Sequence, residues 1–302
     1  MATVGIMHSG SQSANLNNIT ALQQSLEAAY GQKPTYSGPL WADGDSNKLA
    51  GLAQQLLGVD LLIAAGGSRS AEAARDARTN PNKPVIVFTS VAPYVVNKLP
   101  AKMTGVNAHT SDHDVARLKL LVSLVSHISH GNRIGVLRNS DRGDQNKQMA
   151  DLNQAVHDIN QTTGSNWVLR PRDIKIDKKI TESFKWLKGD IHALLVAADS
   201  FFNNGRADVV GGANAEKYPA IYQWREFVDA GGLMSYGPNL AKMYQQAGAM
   251  AGNILRSNLA TIPPVWEPQE TDFELVVNQA TAKKIPHMWP LPKPVAEKAE
   301  VI

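Results

Sequence analysis

The chain contains no cysteine among its 302 residues. This absence excludes disulfide bridges, thiol nucleophiles, cysteine-ligated zinc and iron–sulfur clusters together. It does not identify a cellular compartment, because cytosolic and periplasmic proteins can both lack cysteine. The sequence also has no apolar run near the roughly 18–20 residues needed to cross a bilayer, so we predict no membrane-spanning segment.

The motifs of common nucleotide, metal and hydrolase sites are missing as well. Neither G-x-G-x-x-G nor G-x-x-x-x-G-K-[ST] occurs, which disfavours nucleotide binding. The sequence HTSDH places His109 and His113 four residues apart, but it lacks the glutamate of an HExxH zinc site. G-x-S-x-G is absent, and no catalytic triad stands out at predicted strand ends. We therefore predict no cofactor, no metal site and no enzymatic activity.

Charge is sparse and evenly spread along the chain. Lys and Arg number 30 against 27 Asp and Glu, and charged residues make up 19% of the sequence. Because the basic residues are scattered singly and nucleic-acid binding needs a concentrated basic face, we predict no nucleic-acid partner. A hydrophobic fraction of 43% is typical of globular proteins. At roughly 150 residues per domain, the length favours two lobes.

Short apolar, β-branched runs alternate with helical patterns of roughly 10–15 residues, which is typical of βαβ units and parallel sheets. In the first half, Thr3–His8, Leu61–Ala65 and Pro84–Thr89 are predicted strands. The alternation restarts at Arg133–Leu137, and Phe273–Asn278 is predicted as the last strand. We therefore predict an α/β fold with two doubly wound, Rossmann-like parallel-sheet lobes.

The ligand site is expected at the carboxyl ends of the predicted strands, because loops and helix N-termini meet there in parallel α/β sheets. The strand ends of the first half carry small and hydroxylated residues, and those of the second half carry aromatic and charged ones. Strand ends of these two kinds suit a small ligand with polar and flat apolar parts. The predicted ligand-binding residues are His8, Ser9, Gly67, Ser68, Ser90, Asn139, Asp199, Phe201, Phe202, Trp224, Arg225 and Tyr236.

Several of these residues also have a structural explanation. Gly67 and Ser68 could expose backbone N–H groups to an anion at a helix N-terminus, or they could form a tight turn. Asp199 could bind a ligand ammonium, cap the next helix, or pair with Arg206 or Arg225. Each aromatic residue could stack on a planar ligand or pack in the core.

The ligand-binding interpretation leads to a hypothesis for a carboxylate or zwitterion shared between the lobes. Asp199 would hold the cationic group through a charge-assisted bond. Phe202 and Trp224 would flank the body of the ligand. The anion would be held from the other lobe by Ser9, Gly67, Ser68 and Ser90.

The segment from Asp199 to Asn239 resembles a known family. Its D-x-F-F…R spacing, P-A-I-Y-x-x-R-E-F and above all G-G-L-M-S-Y-G-P-N are similar to ABC-transporter solute-binding proteins of the tryptophan/tyrosine-type branch. Downstream, FELVVNQATAK continues the resemblance, and upstream LLIAAGGSRSAEAARDART, PVIVFTSV and MTGVN follow the same order, so nearly the whole chain is covered. At Val91-Ala92-Pro93 the sequence departs from many relatives, which carry Asp before the proline.

The resemblance implies the type I periplasmic-binding-protein fold, in which two lobes are joined by three crossovers. These crossovers are expected to act as a hinge, with Gly237-Pro238 localising the change in backbone angles. The hinge is expected near residues 106–111, 237–240 and 268–273. The N-terminal lobe is expected to comprise 1–108 plus 239–268, and the C-terminal lobe 109–238 plus 269–302.

The resemblance also implies a function. Such a protein captures a small organic solute in an interlobe cleft, aromatic amino acids being known ligands in the branch, and delivers it unaltered to an ABC permease. The permease would be its only link to the membrane, and a periplasmic monomer is expected. Such proteins are secreted, but no secretion-signal pattern precedes the first predicted strand of this sequence. We therefore expect that the signal has been removed.

Three alternatives remain open at this point. The first is the same fold binding a non-amino-acid solute, such as a nucleoside or an aromatic acid, because sequence determines a fold far better than its ligand. The second is an α/β enzyme, which would require a catalytic constellation. The third is a sugar- or purine-responsive repressor, which would require an N-terminal helix-turn-helix, whereas the first strand pattern here begins at Thr3.

Overall fold

The computed structural model describes residues 1–108, 111–126, 131–141, 145–175 and 179–302, without the side chains of residues 111 and 145. The chain divides into two compact units. Unit 1 comprises Met1–His109 and Pro238–Asp272, and unit 2 comprises Thr110–Gly237 and Phe273–Ile302. His109, one of the two histidines in HTSDH, lies outside the described residues.

The chain passes from one unit to the other three times, after residues 109, 237 and 272. Residues 269–272 belong to unit 1, although the sequence analysis placed them in the C-terminal lobe. The physical reason is a 3-10 turn, Glu270–Asp272, which is held by a hydrogen bond of 3.0 Å from the Asn239 N–H to the Asp272 carbonyl. The hinge role of the three crossing segments stays a prediction.

Unit 1 is built on a five-stranded sheet with helices on both faces. Its strands are β1 (Thr3–His8), β2 (Thr35–Trp41), β3 (Leu61–Ala65), β4 (Val85–Val91) and β5 (Met103–Asn107). Its helices are α1 (Gln12–Tyr30), α2 (Ser46–Gln55), α3 (Ser68–Ala77), α4 (Pro93–Val96) and, from the later segment, α11 (Leu240–Arg256). The strand order is β2-β1-β3-β4-β5, and every neighbouring pair is parallel.

Helix α11 packs against α1 through two glycines spaced four residues apart. A Cβ atom on Gly248 would collide with the Leu22 carbonyl oxygen, and one on Gly252 would collide with the Leu26 carbonyl oxygen. The backbones of the two helices therefore approach each other closely, as small residues at such spacing allow. This contact joins the first helix of the chain to a segment more than 200 residues later.

Unit 2 is built on a seven-stranded sheet. Its strands are β6 (Arg133–Asn139), β7 (Val168–Ile174), β8 (Ala193–Val196), β9 (Ala220–Tyr222), β10 (Met234–Pro238), β11 (Phe273–Val277) and β12 (Glu300–Val301). Its helices are α5 (Ser111–Val125), α6 (Gln145–Thr163), α7 (Ile180–Leu187), α8 (Ser200–Asn204), α9 (Arg206–Ala215), α10 (Arg225–Asp229), α12 (Gln279–Ala282) and α13 (Lys293–Ala296). The strand order is β12-β11-β10-β9-β8-β6-β7.

The core of unit 2 lies between its sheet and an apolar stripe of α5. Leu118, Leu121 and Val125 are fully buried, and Val122 is nearly so. These positions recur at helical spacing, which directs them to one face of the helix. They pack with strand residues of the sheet in one hydrophobic cluster, so the helix is held against the sheet by burial of this stripe.

The expectation that Phe273–Asn278 is the last strand is wrong. The final residues form β12, which pairs in parallel with β11 through Val276 opposite Glu300 and Val277 opposite Val301. Two residues give no periodic pattern, so this strand could not be recognised before its partner was known.

The prediction of two doubly wound parallel α/β sheets is confirmed by the strand orders of both units. In unit 1, β1 lies between β2 and β3, so the chain winds outward in both directions from the first strand. This reversal of winding creates the switch point where ligands bind in such sheets. Among the described residues, no helix is both long and apolar enough to span a membrane.

Candidate functional site

The carboxyl ends of β1, β3 and β4 meet in unit 1 and form what we call rim 1, which comprises His8–Ser9, Gly66–Ser68 and Thr89–Ser90. The Ser9 hydroxyl donates a 2.7 Å hydrogen bond to the Gly66 carbonyl, and the Gly66 N–H donates a 3.0 Å hydrogen bond to Thr89 Oγ1. Gly66 has φ 90°, and a Cβ there would lie 2.5 Å from Ser9 Oγ. Glycine is therefore required where the three strand ends are tied together.

His8 is buried in rim 1, with 1% of its surface exposed. The Gly10 N–H donates to Nδ1 at 2.8 Å, and Nε2 lies 2.9 Å from the Tyr244 hydroxyl. Because Nδ1 accepts a hydrogen bond, the ring proton is on Nε2, which donates to Tyr244. Burial lowers the pKa of His8 from 6.5 to about 3, so the ring is neutral. Both ring nitrogens are engaged inside unit 1.

The protonation of His8 makes stability depend on pH. The unfolded chain binds a proton near pH 6.5, whereas the pKa of folded His8 is about 3. The stabilisation is therefore present above pH 6.5 and is lost as the pH falls, by up to about 1.4 kcal/mol per pH unit. We expect urea unfolding at pH 7, 6 and 5 to show that the free energy of unfolding decreases less with falling pH for His8→Gln than for the wild type. If the free energy of unfolding fell equally with pH in both proteins, this role of His8 would be contradicted.

Gly67 and Ser68 are the residues of rim 1 at which α3 begins. Gly67 has φ 100°, a conformation that favours glycine, and it occupies the N-cap position. The Ser68 hydroxyl oxygen accepts a 3.0 Å hydrogen bond from the Ala92 N–H. This bond ties the start of α3 to the segment that follows β4, and Ser68 stays half-buried.

Ser90 is the strained residue of rim 1. It has φ 52°, an uncommon value for a residue other than glycine, and the β4–β5 register shifts between Phe88 and Val91. Its side chain is buried, and its hydroxyl has no hydrogen-bond partner within the described ranges of the chain. Local strain combined with an unpartnered buried hydroxyl is typical of a binding site.

The carboxyl ends of β6, β8, β9 and β10 form the corresponding edge of unit 2, which we call rim 2. It comprises Asn139, Asp199, Gln223–Arg225 and Tyr236. Asn139 Nδ2 donates a 3.0 Å hydrogen bond to Asp199 Oδ2, and the Phe201 N–H donates a 2.8 Å hydrogen bond to Asp199 Oδ1. Asp199 therefore caps α8, and each of its oxygens accepts one hydrogen bond from within unit 2.

The phenylalanines that follow Asp199 have different environments. Phe202 is fully buried, whereas Phe201 is half-buried. Their ring centroids are 5.3 Å apart and the rings are tilted, a favourable aromatic geometry. Phe202 thus contributes to the buried core, and Phe201 is the one that remains partly exposed.

Arg225 forms an ion pair that the sequence analysis did not anticipate. Its Nη1 and Nη2 atoms donate to the two carboxylate oxygens of Glu300 at 2.7 and 2.8 Å. Its Nε also lies 3.6 Å from Asp229 Oδ1. The guanidinium is therefore turned toward β12 and α10, because the terminal strand brings a carboxylate to it. Asp199 pairs with neither Arg225 nor Arg206; Arg206 donates to the Asn203 carbonyl.

Gln223, which the sequence analysis missed, is the most unusual residue of rim 2. It is 2% exposed, and neither its Oε1 nor its Nε2 has a hydrogen-bond partner in the described part of the chain. The indole N–H of the next residue, Trp224, is also buried without a partner among the described side chains and backbone. The sequence pattern predicts a strand over Ala220–Gln223 and so places Gln223 inside it, whereas β9 ends at Tyr222 and Gln223 follows the strand directly.

Tyr236 is half-buried, and its ring centroid lies 5.5 Å from that of Phe273. Its carbonyl accepts a 3.1 Å hydrogen bond from Arg117 Nη1. Arg117 is fully buried and forms an ion pair with Asp114, one turn earlier in α5. Tyr236 is thus held in place from both its backbone and its ring.

A model of the ABC transporter substrate binding protein family matches residues 12–288 of the chain. The protein belongs to this family. The matched segment includes β3, β4, rim 2 and the glycine pair of α11. The resemblance found in the sequence is therefore confirmed for the family. No curated protein matches the chain significantly in a search of whole sequences.

Solved structures share the fold of this substrate-binding protein. The ABC domain from Streptococcus pneumonia in complex with L-Trp has a TM-score of 0.80 and 19% identity, covering 99% of this chain and 100% of that one. A conserved domain protein from Vibrio cholerae has a TM-score of 0.79 and 18% identity, covering 99% of both chains. A ligand-free, open substrate binding protein with adhesive properties from Clostridium difficile has a TM-score of 0.63 and 21% identity, covering 100% and 99%.

These similarities confirm the type I periplasmic-binding-protein fold. Family membership implies two kinds of partner, a small-molecule solute and the permease of an ABC transporter. It also supports a binding role rather than a catalytic one, outside the cytoplasm. Among the described residues, no group of three or more His, Asp or Glu side chains is placed to hold a metal ion.

Proposed function

We propose that this substrate-binding protein captures a small organic solute with a flat body at rims 1 and 2 and delivers it unaltered to an ABC permease. We further propose that it acts in the periplasm as a monomer. The observation that carries the proposal is the set of buried hydrogen-bonding groups in rims 1 and 2 that have no partner among the described residues: Ser90, Gln223 and Trp224. A bound solute would satisfy such groups, since native proteins rarely leave them unpaired.

An aromatic amino acid is the first candidate solute. Its support is the resemblance of the Asp199–Asn239 segment to the tryptophan/tyrosine-type branch, together with the L-Trp bound by the related domain from Streptococcus pneumonia. In this version the N-terminus of α3 at Gly67 and Ser68 holds the carboxylate, and Asp199 holds the ammonium group.

A non-amino-acid solute, such as a nucleoside or an aromatic acid, is the second candidate. It is favoured because the charged side chains of rim 2 already have partners. Asp199 accepts hydrogen bonds from Asn139 and Phe201, and Arg225 pairs with Glu300. A zwitterion would have its ammonium group share Asp199 with these donors and its carboxylate share Arg225 with Glu300, whereas an uncharged solute needs neither contact.

A thermal-shift screen over amino acids, nucleosides and aromatic acids tests the proposed function. A solute present at a hundred times its Kd should stabilise the protein by about 2.7 kcal/mol. We expect at least one flat solute to raise the melting temperature, and calorimetry should then confirm one binding site per chain. If no member of the three classes raised the melting temperature, the proposal would be wrong.

Asp199→Asn separates the two candidate solutes. If the solute is uncharged, we expect the variant to bind it with an affinity within about threefold of the wild type, because no ligand group then depends on the charge of Asp199, which accepts hydrogen bonds from Asn139 and Phe201. If Asp199 instead held an ammonium group, the loss of a charge-assisted bond would weaken binding roughly 10–100-fold. Isothermal titration calorimetry with the solute found in the screen measures the difference.

Asp199→Ala is the matched control, because it removes the cap of α8 as well as the charge. It should lower the free energy of unfolding by about 1 kcal/mol. Comparing the two variants distinguishes an effect on the ligand from an effect on the local structure of rim 2.

A further inference from the structure

We infer that Gln223 selects the solute, and that the solute is an uncharged ring compound with a hydrogen-bond donor and an acceptor side by side, such as a cyclic amide, an imide or a heteroaromatic base. This inference rests on the proposed function and narrows it to one class of ligand. Three observations support it: the position of Gln223 in the sheet, the lack of hydrogen-bond partners for its buried carboxamide, and the partners that the nearby charged side chains already have.

The position of Gln223 is held firmly by the sheet. It follows β9 directly, and β9 lies between β8 and β10, with Ser235 opposite Tyr222. A Cβ on Gly237 would collide with the Gln223 carbonyl oxygen and would lie 3.2 Å from Gln223 Cγ. Only glycine at position 237 leaves room for this backbone and side chain, so the base of the Gln223 side chain is closely fitted against β10.

The carboxamide of Gln223 is buried, and both of its polar atoms lack partners within the described residues. A buried amide in this state destabilises a folded protein, because it gives up hydrogen bonds to water and receives none in return. Native proteins keep such groups mainly where a ligand or an ordered water completes the bonds. At the carboxyl end of a central parallel strand, the expected partner is a ligand.

The shape of the carboxamide indicates what it would recognise. Its oxygen accepts and its NH₂ group donates hydrogen bonds in one plane, so it pairs with a donor and an acceptor that are adjacent on a ring edge. Glutamine pairs with nucleobase edges in this way. The next residue in the chain, Trp224, has a buried indole N–H that also lacks a partner among the described residues, and an aromatic side chain at this strand end suits a flat ring.

The surrounding charges argue for an uncharged solute. Asp199 and Arg225 are occupied by partners inside unit 2. The carboxyl group of Glu226, three residues after Gln223, has a buried Oε2 without a partner in the described chain, and burial raises its pKa. The groups of rim 2 that lack partners among the described residues are thus the uncharged side chains of Gln223 and Trp224.

The test begins with the wild-type protein and named probes. Uracil, hypoxanthine and 2-pyridone represent uncharged ring amides and bases, and L-Trp, L-Tyr and L-Phe represent zwitterions. We expect at least one uncharged probe to bind at least tenfold more tightly than every amino acid in calorimetric titrations. If an amino acid bound more tightly than all three uncharged probes, the inference would fail and the proposed function would stand. If no probe bound, the inference would fail.

Gln223→Met tests the residue itself, because methionine has nearly the same length and removes both polar atoms. We expect affinity for the preferred probe to fall roughly 10–100-fold, as expected when a hydrogen-bonded pair loses one partner. We expect the melting temperature of the ligand-free variant to stay the same or rise, since an unsatisfied buried amide is replaced by an apolar group. A lower melting temperature with unchanged affinity would show that Gln223 has only a structural role.

Two controls complete the design. Gln245→Glu changes an exposed glutamine of α11 and should leave both affinity and melting temperature unchanged. An N-methylated form of the preferred probe lacks the ring N–H, and it should bind the wild type at least tenfold more weakly. In Gln223→Met, methylation of the probe should cost much less, because the group that reads the N–H is gone. If methylation of the probe weakened binding equally in the wild type and in Gln223→Met, the proposal that Gln223 recognises the ring N–H would be wrong.

Discussion

Replacing Arg117 with alanine is expected to lower the free energy of unfolding by about 3–5 kcal/mol. Arg117 is fully buried, and its guanidinium forms an ion pair with Asp114 and donates to the Tyr236 carbonyl at 3.1 Å. Asp114 is 1% exposed and also accepts a 2.7 Å hydrogen bond from Gln148 Nε2. Removal of the arginine would leave a carboxylate in the interior of unit 2 without its counter-charge, and urea unfolding at pH 7 measures the loss.

The double variant Asp114→Asn/Arg117→Met is the matched control for this effect. It removes both charges and keeps similar side-chain volumes, so no uncompensated buried charge remains. We expect it to be more stable than Arg117→Ala, because the amide oxygen introduced at position 114 can still accept a hydrogen bond from Gln148. If the double variant were as unstable as the single one, the loss would come from the packing of Arg117 rather than from the stranded charge.

Substitution of both Gly248 and Gly252 by alanine is expected to lower the free energy of unfolding by about 2–6 kcal/mol. The new Cβ atoms would meet backbone of α1, which cannot move aside as a flexible side chain can. The Cβ on Gly248 would lie 3.1 Å from Leu22 Cα, and the one on Gly252 would lie 2.7 Å from Ala29 Cβ. The two helices would have to separate, and chemical denaturation followed by far-UV circular dichroism measures the effect.

Gly211→Ala provides the control, because Gly211 lies inside α9 and a Cβ there would meet no atom within 4 Å among the described residues. Alanine is a better helix former than glycine, so this variant should be more stable than the wild type by about 0.5–1 kcal/mol. Opposite signs for the two kinds of glycine substitution would show that close packing, rather than helix propensity, governs the α1–α11 contact. A stabilised Gly248→Ala/Gly252→Ala variant would contradict that explanation.

Much of the fold could be predicted because its strands are long enough to show a pattern. Thr3–His8 and Leu61–Ala65 were predicted with the bounds that β1 and β3 have in the structure. Both are runs of apolar residues between turn signals, as expected for strands buried on both faces. β12 could not be predicted, because its two residues are strand-forming only in the presence of β11.

The candidate site could be predicted only as a location. The rule that ligands bind at strand carboxyl ends directed attention to Ser90, Asp199 and Trp224, and it passed within one residue of Gln223. The sequence could not distinguish a charged side chain that is free from one that is engaged. Arg225 is an example, because its partner Glu300 lies 75 residues later in the chain.

Local composition and periodicity thus sufficed for the fold class and for the edge of each sheet where a solute is expected, and the resemblance of the Asp199–Asn239 motifs sufficed for the family. These features depend on neighbours within a few positions of the chain, and a sequence displays them directly. The tertiary structure alone decided which polar groups at that edge have partners. Hydrogen bonds and ion pairs join residues that are distant in sequence, so the free amide of Gln223 and the occupied charges of Asp199 and Arg225 emerge only after the strands are assembled.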